Sequence, residues 1–119
     1  MIKRFFDSYA IIEYLNGNSR YSQYTLEEGI TCFDNLMEVF YYLLKIRGLD
    51  IARQSLILLR KMIVDVHIDD IEPAMRFRYE HKGTSYIDVI GYTIAKRYKI
   101  PFLTGDIAFQ NIPNVEFVK

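Results

Sequence analysis

Residues 85–106 read SYIDVIGYTIAKRYKIPFLTGD, a polar start followed by a long apolar run and a short strand-like ending. Ser85 stands three residues before Asp88, a spacing typical of the start of a helix. The apolar positions that follow predict a helix over residues 86–98. The run PFLT, residues 101–104, predicts a buried strand. A helix that leads into a short apolar strand is the repeating unit of α/β folds.

The rest of the chain alternates in the same way between short apolar strands and amphipathic helices. This order favours an α/β fold with a mainly parallel sheet. The predicted strands cover residues 2–6, 30–33, 63–66, 101–104 and 115–118, and the predicted helices cover 8–15, 19–28, 35–47, 50–62, 69–82 and 86–98.

Composition excludes several classes of protein. The 119 residues match one domain, and the net charge of zero gives no sign of a polyanionic partner. A single cysteine, Cys32, excludes a disulfide scaffold and a cysteine-rich zinc site. No apolar run approaches the length of about 18 residues that indicates a membrane span, and Asp7 and Glu13 interrupt the first apolar segment. We therefore expect a cytoplasmic protein with no membrane partner.

Four acids lie at strand ends or helix starts. Asp7 follows the first strand, and Asp106 follows PFLT after one glycine. Glu38 and Asp88 fall in the first turns of their predicted helices, among apolar neighbours that predict at least partial burial. Because parallel sheets bind ligands beyond the carboxyl ends of their strands, we expect these side chains to meet at one edge.

Helix capping is the alternative explanation for each acid taken alone. Asp7 and Asp106 suit N-caps, and the pairs Asn35–Glu38 and Ser85–Asp88 have the spacing of a capping box. Capping does not explain acids among apolar neighbours, since clustered carboxylates repel and are poorly solvated. A divalent cation would neutralise them, and an all-oxygen set without histidine favours Mg²⁺ or Mn²⁺ over zinc.

The order of these parts resembles the PIN domain family. The resemblance rests on Asp7 after the first strand, Glu38 in an apolar helix, Asp88 opening another helix and a strand ending in Thr104-Gly105-Asp106. It covers essentially the whole chain and implies a single PIN-like domain over residues 1–119. The implied fold is a three-layer α/β/α sandwich with about five strands.

The resemblance also implies an activity. Asp7, Glu38, Asp88 and Asp106 would hold one or two Mg²⁺ or Mn²⁺ ions and hydrolyse phosphodiester bonds. Ser8 and Thr104 would support these ligands by hydrogen bonds. Free-standing PIN domains of this length resemble the VapC-type toxins of toxin–antitoxin pairs, which implies an RNA substrate and an antitoxin partner.

Two further surfaces are predicted. Arg76, Arg78 and Lys82 precede Asp88 and are candidate contacts for RNA phosphates, although a solvated helix face is the simpler explanation. Tyr41 and Tyr42 make the helix over residues 35–47 apolar almost all round, which indicates deep burial or a homodimer interface.

Two other functions remain open. A catalytically inactive PIN-like domain could bind RNA or protein. The presence of all four acids speaks against it, because a cluster of carboxylates without a cation costs stability. A phosphotransferase or phosphatase with Asp7 as nucleophile would usually carry a second acid two residues later. Tyr9 stands there instead, and this reading ranks below the others.

Overall fold

A computed structural model describes residues 1–119 and contains five parallel strands and five α-helices. The expected α/β/α fold with a parallel sheet of about five strands is confirmed. The strands are β1 (Arg4–Phe6), β2 (Gly29–Cys32), β3 (Ile63–Val64), β4 (Phe102–Thr104) and β5 (Val115–Phe117). The helices are α1 (Ser8–Leu15), α2 (Phe33–Arg47), α3 (Leu49–Leu59), α4 (Ile71–Glu80) and α5 (Tyr86–Arg97).

The strand order is β3-β2-β1-β4-β5, with β1 at the centre of the sheet. Phe5 of β1 pairs with Ile30 of β2 on one side and with Phe102 of β4 on the other. Strands β2 and β3 are added in turn on one side of β1. The chain then crosses to the other side of β1, where β4 and β5 are added. Strand order therefore reverses between β1 and β4, and their carboxyl ends flank the place where such sheets bind ligands.

Alternate residues of the central strands enter two separate cores. Phe6 and Leu103 point to the face covered by α1, α2 and α3, while Phe5 and Phe102 point to the face covered by α4 and α5. All four side chains are fully buried. Because strand side chains alternate between faces, a short apolar run such as this one predicts a sheet covered on both sides.

Gly91 lets α5 approach the sheet closely. A Cβ at this position would lie 2.8 Å from the Phe5 ring and 3.1 Å from the Phe102 ring. Glycine lowers helix propensity, but here it allows the close helix–sheet contact that sets the distance of α5 from the sheet. Asp88, one turn earlier, is held at the carboxyl edge of the sheet as a consequence.

Some predicted boundaries were wrong. Residues 19–28 form two 3₁₀ turns rather than a helix, because Tyr21, Tyr24 and Leu26 all enter the core and no single helix face could bury them. The helix after β2 begins at Phe33, so Glu38 lies in its second turn rather than its first. None of the five α-helices is both long and apolar enough to cross a lipid bilayer.

Candidate functional site

The four acids singled out from the sequence line one cleft at the carboxyl edge of the sheet. This acid cleft has a volume of about 440 Å³. Its walls are Asp7, Tyr9, Glu38, Ser85, Asp88, Asp106, Ile107 and Lys119. The acids come from four different elements of the chain, so the parallel sheet brings together carboxylates as far apart in sequence as Asp7 and Asp106.

Asp7 lies at the bottom of the acid cleft and is only 1% exposed. One carboxylate oxygen, Oδ1, accepts a hydrogen bond of 2.7 Å from the Ala10 N–H and so caps α1. The other, Oδ2, accepts from the Thr104 hydroxyl. Burial raises the pKa of Asp7 to about 8; these hydrogen bonds oppose the rise, and the nearby Asp88 and Asp106 add to it. At neutral pH the carboxyl group therefore favours holding a proton unless a cation replaces it.

Thr104 joins the acids that follow the two central strands. Its side chain is fully buried at the end of β4. While donating to Asp7, its Oγ1 accepts a hydrogen bond of 3.0 Å from the Asp106 N–H. The Asp106 carboxylate in turn accepts a 3.0 Å hydrogen bond from the Ala108 N–H. Asp7 and Asp106 thus cap helical segments and also line the acid cleft, so the two explanations do not exclude each other.

Asp88 is half-buried in the first turn of α5. Ser85 caps the helix by accepting a hydrogen bond of 3.1 Å from the Asp88 N–H, as the spacing predicted. Burial raises the pKa of the Asp88 carboxyl group to about 6; hydrogen bonding to Ser85 opposes the rise, and the charges of Asp106 and Glu38 add to it. Each acid of the cleft is therefore within electrostatic range of others.

Glu38 differs from the expectation of a buried acid, because its position in the second turn of α2 leaves it exposed. Its carboxylate accepts a 2.5 Å hydrogen bond from Ser8. Ser8 accepts one of 2.9 Å from the amide of Asn35, and Asn35 accepts one of 3.0 Å from the Cys32 thiol. Asn35 is fully buried. Its predicted capping role was wrong, because the side chain turns inward and Cys32 occupies the N-cap position.

The side chains as they lie do not form a ready-made metal cage. No group of three or more His, Cys, Asp or Glu side chains comes close enough together to hold a metal ion. The donor chemistry nonetheless fits a hard cation: the walls supply four carboxylates, no histidine or cysteine and a single lysine. The buried carboxyl group of Asp7 also forms no ion pair with any cation. Mg²⁺ needs only one or two direct carboxylates because it retains several waters.

Solved structures with this architecture were found by comparison. One chain of a toxin–antitoxin complex from Klebsiella pneumoniae superposes with a TM-score of 0.76 at 21% identity, covering 96% of each chain. VapC20 from Mycobacterium tuberculosis, a sarcin–ricin loop cleaving toxin, superposes with a TM-score of 0.72 at 15% identity, covering 95% of this chain and 98% of its own. The chain has a VapC-like PIN fold. No protein-family model and no curated protein sequence matches it.

In this PIN fold the predicted phosphate contacts do not line the acid cleft. Arg76 is exposed and pairs with Glu72 at 3.5 Å. Arg78 packs over the Tyr86 ring at 4.4 Å, and Lys82 is exposed outside the cleft walls. The cation that does line the cleft is Lys119, whose Nζ lies 5.7 Å from the centre of the Tyr9 ring. The expectation that site residues follow the carboxyl ends of strands also applies to the last strand, and it would have identified Lys119, which follows β5.

Tyr9 forms part of the wall of the acid cleft. Its ring packs over Gly105, where a Cβ would lie 2.2 Å from the ring and 2.4 Å from the Val118 carbonyl oxygen. No side chain fits at Gly105 for this reason. The Thr104-Gly105-Asp106 segment is thereby pressed between an aromatic ring and the end of β5, which fixes the direction of the Asp106 carboxylate.

Proposed function

We propose that this chain is an endoribonuclease that depends on Mg²⁺ or Mn²⁺ and acts as the toxin of a toxin–antitoxin pair. The observation that carries the proposal is the acid cleft, in which four carboxylates meet at the reversal of strand order around the buried Asp7. Such a cluster destabilises a protein unless a cation compensates it.

The four acids share one part in the proposal, and two hydroxyl groups support them. Asp7, Asp88, Asp106 and Glu38 would hold the ion, which supplies Lewis-acid stabilisation of the charge that develops on the phosphate. Thr104 fixes Asp7 and the Asp106 backbone through its hydroxyl, and Ser8 fixes the Glu38 carboxylate. No protein nucleophile is required, because water is the attacking group in phosphodiester hydrolysis.

The solved structures with this fold support a substrate class and a partner. One is a chain of a toxin–antitoxin complex, and another is a toxin that cleaves the sarcin–ricin loop, which is RNA. These relatives support RNA as the substrate class and an antitoxin protein as the partner.

A homodimer is part of the same proposal. Apolar side chains of α2 and α3 lie on the surface, including Phe33 at 62%, Tyr41 at 62% and Ile57 at 75% exposure. Exposed apolar residues grouped on neighbouring helices are typical of interaction surfaces. Tyr41 supports the homodimer directly, whereas Tyr42 is half-buried and accepts a hydrogen bond from Asn16.

One observation favours the alternative of an inactive PIN-like module that binds RNA or protein. The carboxylates do not lie close enough together to form a metal cage without moving. A module of this kind would bind its partner equally well with and without divalent ions, which separates it from the nuclease.

The test is cleavage of end-labelled RNA by the purified protein in Mg²⁺, in Mn²⁺ and in EDTA. A single-stranded RNA and a hairpin with the sarcin–ricin sequence are suitable substrates. We expect cleavage in either ion, none in EDTA, and a loss of at least about a hundredfold in Asp88→Asn, comparable to the removal of other groups that stabilise a transition state. Asp69→Asn, an exposed acid outside the cleft, is the matched control. Equal cleavage in EDTA would contradict the proposal.

A further inference from the structure

A second cavity of about 590 Å³ adjoins the acid cleft. Four residues after α1, Ser19, Arg20, Ser22 and Gln23, form one wall of this basic groove, and residues 117–119, at the end of β5, form the other. Its lining includes two cations, Arg20 and Lys119, with serine and glutamine side chains and no acid. The basic groove therefore has the opposite charge to the neighbouring cleft, although the net charge of the whole chain is zero.

The basic groove and the acid cleft are neighbours that share Lys119, which lines both. Arg20 lies beside this junction, with Nη1 3.5 Å from the Lys119 carbonyl oxygen. Tyr9 of the cleft is close enough to Arg20 to sense its charge: burial, Glu13 and Asp7 raise the pKa of Tyr9, and Arg20 opposes the rise. An extended ligand that leaves the acid cleft over Tyr9 would thus reach Lys119 and then Arg20.

The charges of these two side chains are not paired with an acid inside the protein. Other basic residues form ion pairs within the chain, including Lys3 with Glu28, Arg4 with Glu116 and Arg97 with Asp70. Neither Arg20 nor Lys119 forms an ion pair with an acid. A cleft of four carboxylates repels the phosphates that flank the one to be cleaved, so a polyanionic substrate needs cations at the exit of the cleft.

We propose that the basic groove binds single-stranded RNA on one side of the cleaved phosphate, with Lys119 and Arg20 neutralising consecutive phosphates. This inference rests on the proposed nuclease function and names the path of its substrate. Phe117 on the groove wall offers a ring for base stacking, the usual companion of cations in single-strand sites. Neither cation reads a base edge, so the groove contributes affinity with little sequence preference.

RNA binding tests the groove separately from cleavage. The inactive Asp88→Asn protein is titrated with fluorescent single-stranded RNA over a range of salt concentrations, alone and with Arg20→Ala or Lys119→Ala added. We expect each addition to weaken binding several-fold and to reduce the slope of log affinity against log salt by about 0.7. Arg53→Ala, an exposed arginine on α3, is the matched control and should leave affinity and slope unchanged.

Substrate length distinguishes a phosphate contact from a general loss of structure. In the active protein, Arg20→Ala should raise the KM for a long RNA several-fold without changing kcat. It should leave the KM of a fragment too short to reach the groove unchanged. An equal effect on long and short substrates, or no effect on the RNA affinity of the inactive protein, would overturn the proposed groove while wild-type cleavage still supports the nuclease.

Absence of metal-dependent cleavage in the wild type would instead remove the proposed function itself. An acidic protein segment is the other class of ligand that the groove could take. Tighter binding of polyglutamate than of RNA, lost in Arg20→Ala, would overturn the RNA path in favour of that ligand.

Discussion

The hydroxyl of Thr104, at the end of β4, donates a hydrogen bond to the carboxylate of Asp7, which directly follows β1. The same oxygen accepts from the Asp106 N–H. One buried side chain therefore fixes the acids that follow the two central strands, at the place where strand order reverses. This link thus joins Asp7 to the backbone of Asp106.

Thr104→Val should damage both stability and the site. Valine keeps the shape but leaves Oδ2 of Asp7 and the Asp106 N–H without a partner, which costs about 1–3 kcal/mol of unfolding free energy. Urea unfolding measures this loss, and a Mn²⁺ titration should show weaker binding. Thr104→Ser keeps the hydroxyl group and is the control, with both properties near wild type. A Thr104→Val protein as stable as wild type would refute the importance of the link.

The pKa of Asp7 predicts an unusual dependence of stability on pH. A raised pKa means that the folded state holds the proton more tightly than the unfolded state, whose carboxyl groups titrate near 3.8. The contribution of Asp7 to stability is therefore greatest below about pH 4 and is lost as pH rises from about 4 to about 8. Asp88, with a pKa of about 6, adds to the loss in the lower part of this window.

Asp7→Asn removes this titration and tests it. Without divalent ions, the variant should be more stable than wild type at pH 8 and should lose less stability between pH 5.5 and pH 8. Chemical unfolding at several pH values measures the difference. If wild type and variant change in parallel across this range, Asp7 does not carry the excess proton.

The ion pair between Arg97 and Asp70 should contribute measurable stability. Asp70 is 2% exposed, and Arg97 binds it through two nitrogens at 2.9 and 3.0 Å. Burial acts to raise the pKa of Asp70, but Arg97 and the His67 N–H outweigh it and lower the pKa overall. The stabilisation is thus present above the ordinary pKa of 3.8 and is lost as pH falls below it.

Asp70→Asn should accordingly lower the unfolding free energy at pH 7 by about 2 kcal/mol, less than for a fully buried pair because Arg97 is partly exposed. Glu72→Gln, which breaks the exposed pair with Arg76, should cost no more than about 0.5 kcal/mol and serves as the control. Equal losses of unfolding free energy in the two variants would show that the Arg97–Asp70 pair stabilises the fold no more than an exposed ion pair does.

The exposed apolar face of α2 and α3 predicts self-association. Ile57→Asp should convert a homodimer into a monomer in sedimentation velocity experiments, because a carboxylate cannot be buried unpaired in an apolar interface. Ile68→Asp introduces the same charge at an 84% exposed position on another segment and should leave the dimer intact. A wild-type protein that sediments as a monomer at high concentration would contradict the prediction.

The sequence was sufficient to predict the parts of the site that obey simple positional rules. Asp7 and Asp106 end strands and Asp88 opens a helix, so their convergence follows from a parallel sheet. Helix α1 was predicted with its observed bounds because its apolar spacing and the Asn16-Gly17 turn agree. At these positions the local sequence signals and the tertiary packing favour the same structure.

Other features depend on packing that no local pattern encodes. Asn35 has the spacing of a cap, but the buried Cys32 thiol and Ser8 hydroxyl draw its amide inward. Glu38 stands among apolar residues in sequence, yet its position on α2 leaves it exposed. The predicted phosphate contacts, Arg76 and Arg78 on α4 and Lys82 just after it, do not line the cleft, whereas the sheet brings in Lys119.

Isothermal titration of Mn²⁺ into the protein at pH 8 tests the metal site most directly. We predict saturable binding to the wild type and loss of that binding in folded Asp7→Asn and Asp88→Asn proteins. Binding should also weaken as pH falls below the Asp7 pKa of about 8, because the ion must displace the proton. No binding to wild type, or equal binding to both variants, would contradict the assignment of the four acids as a metal centre.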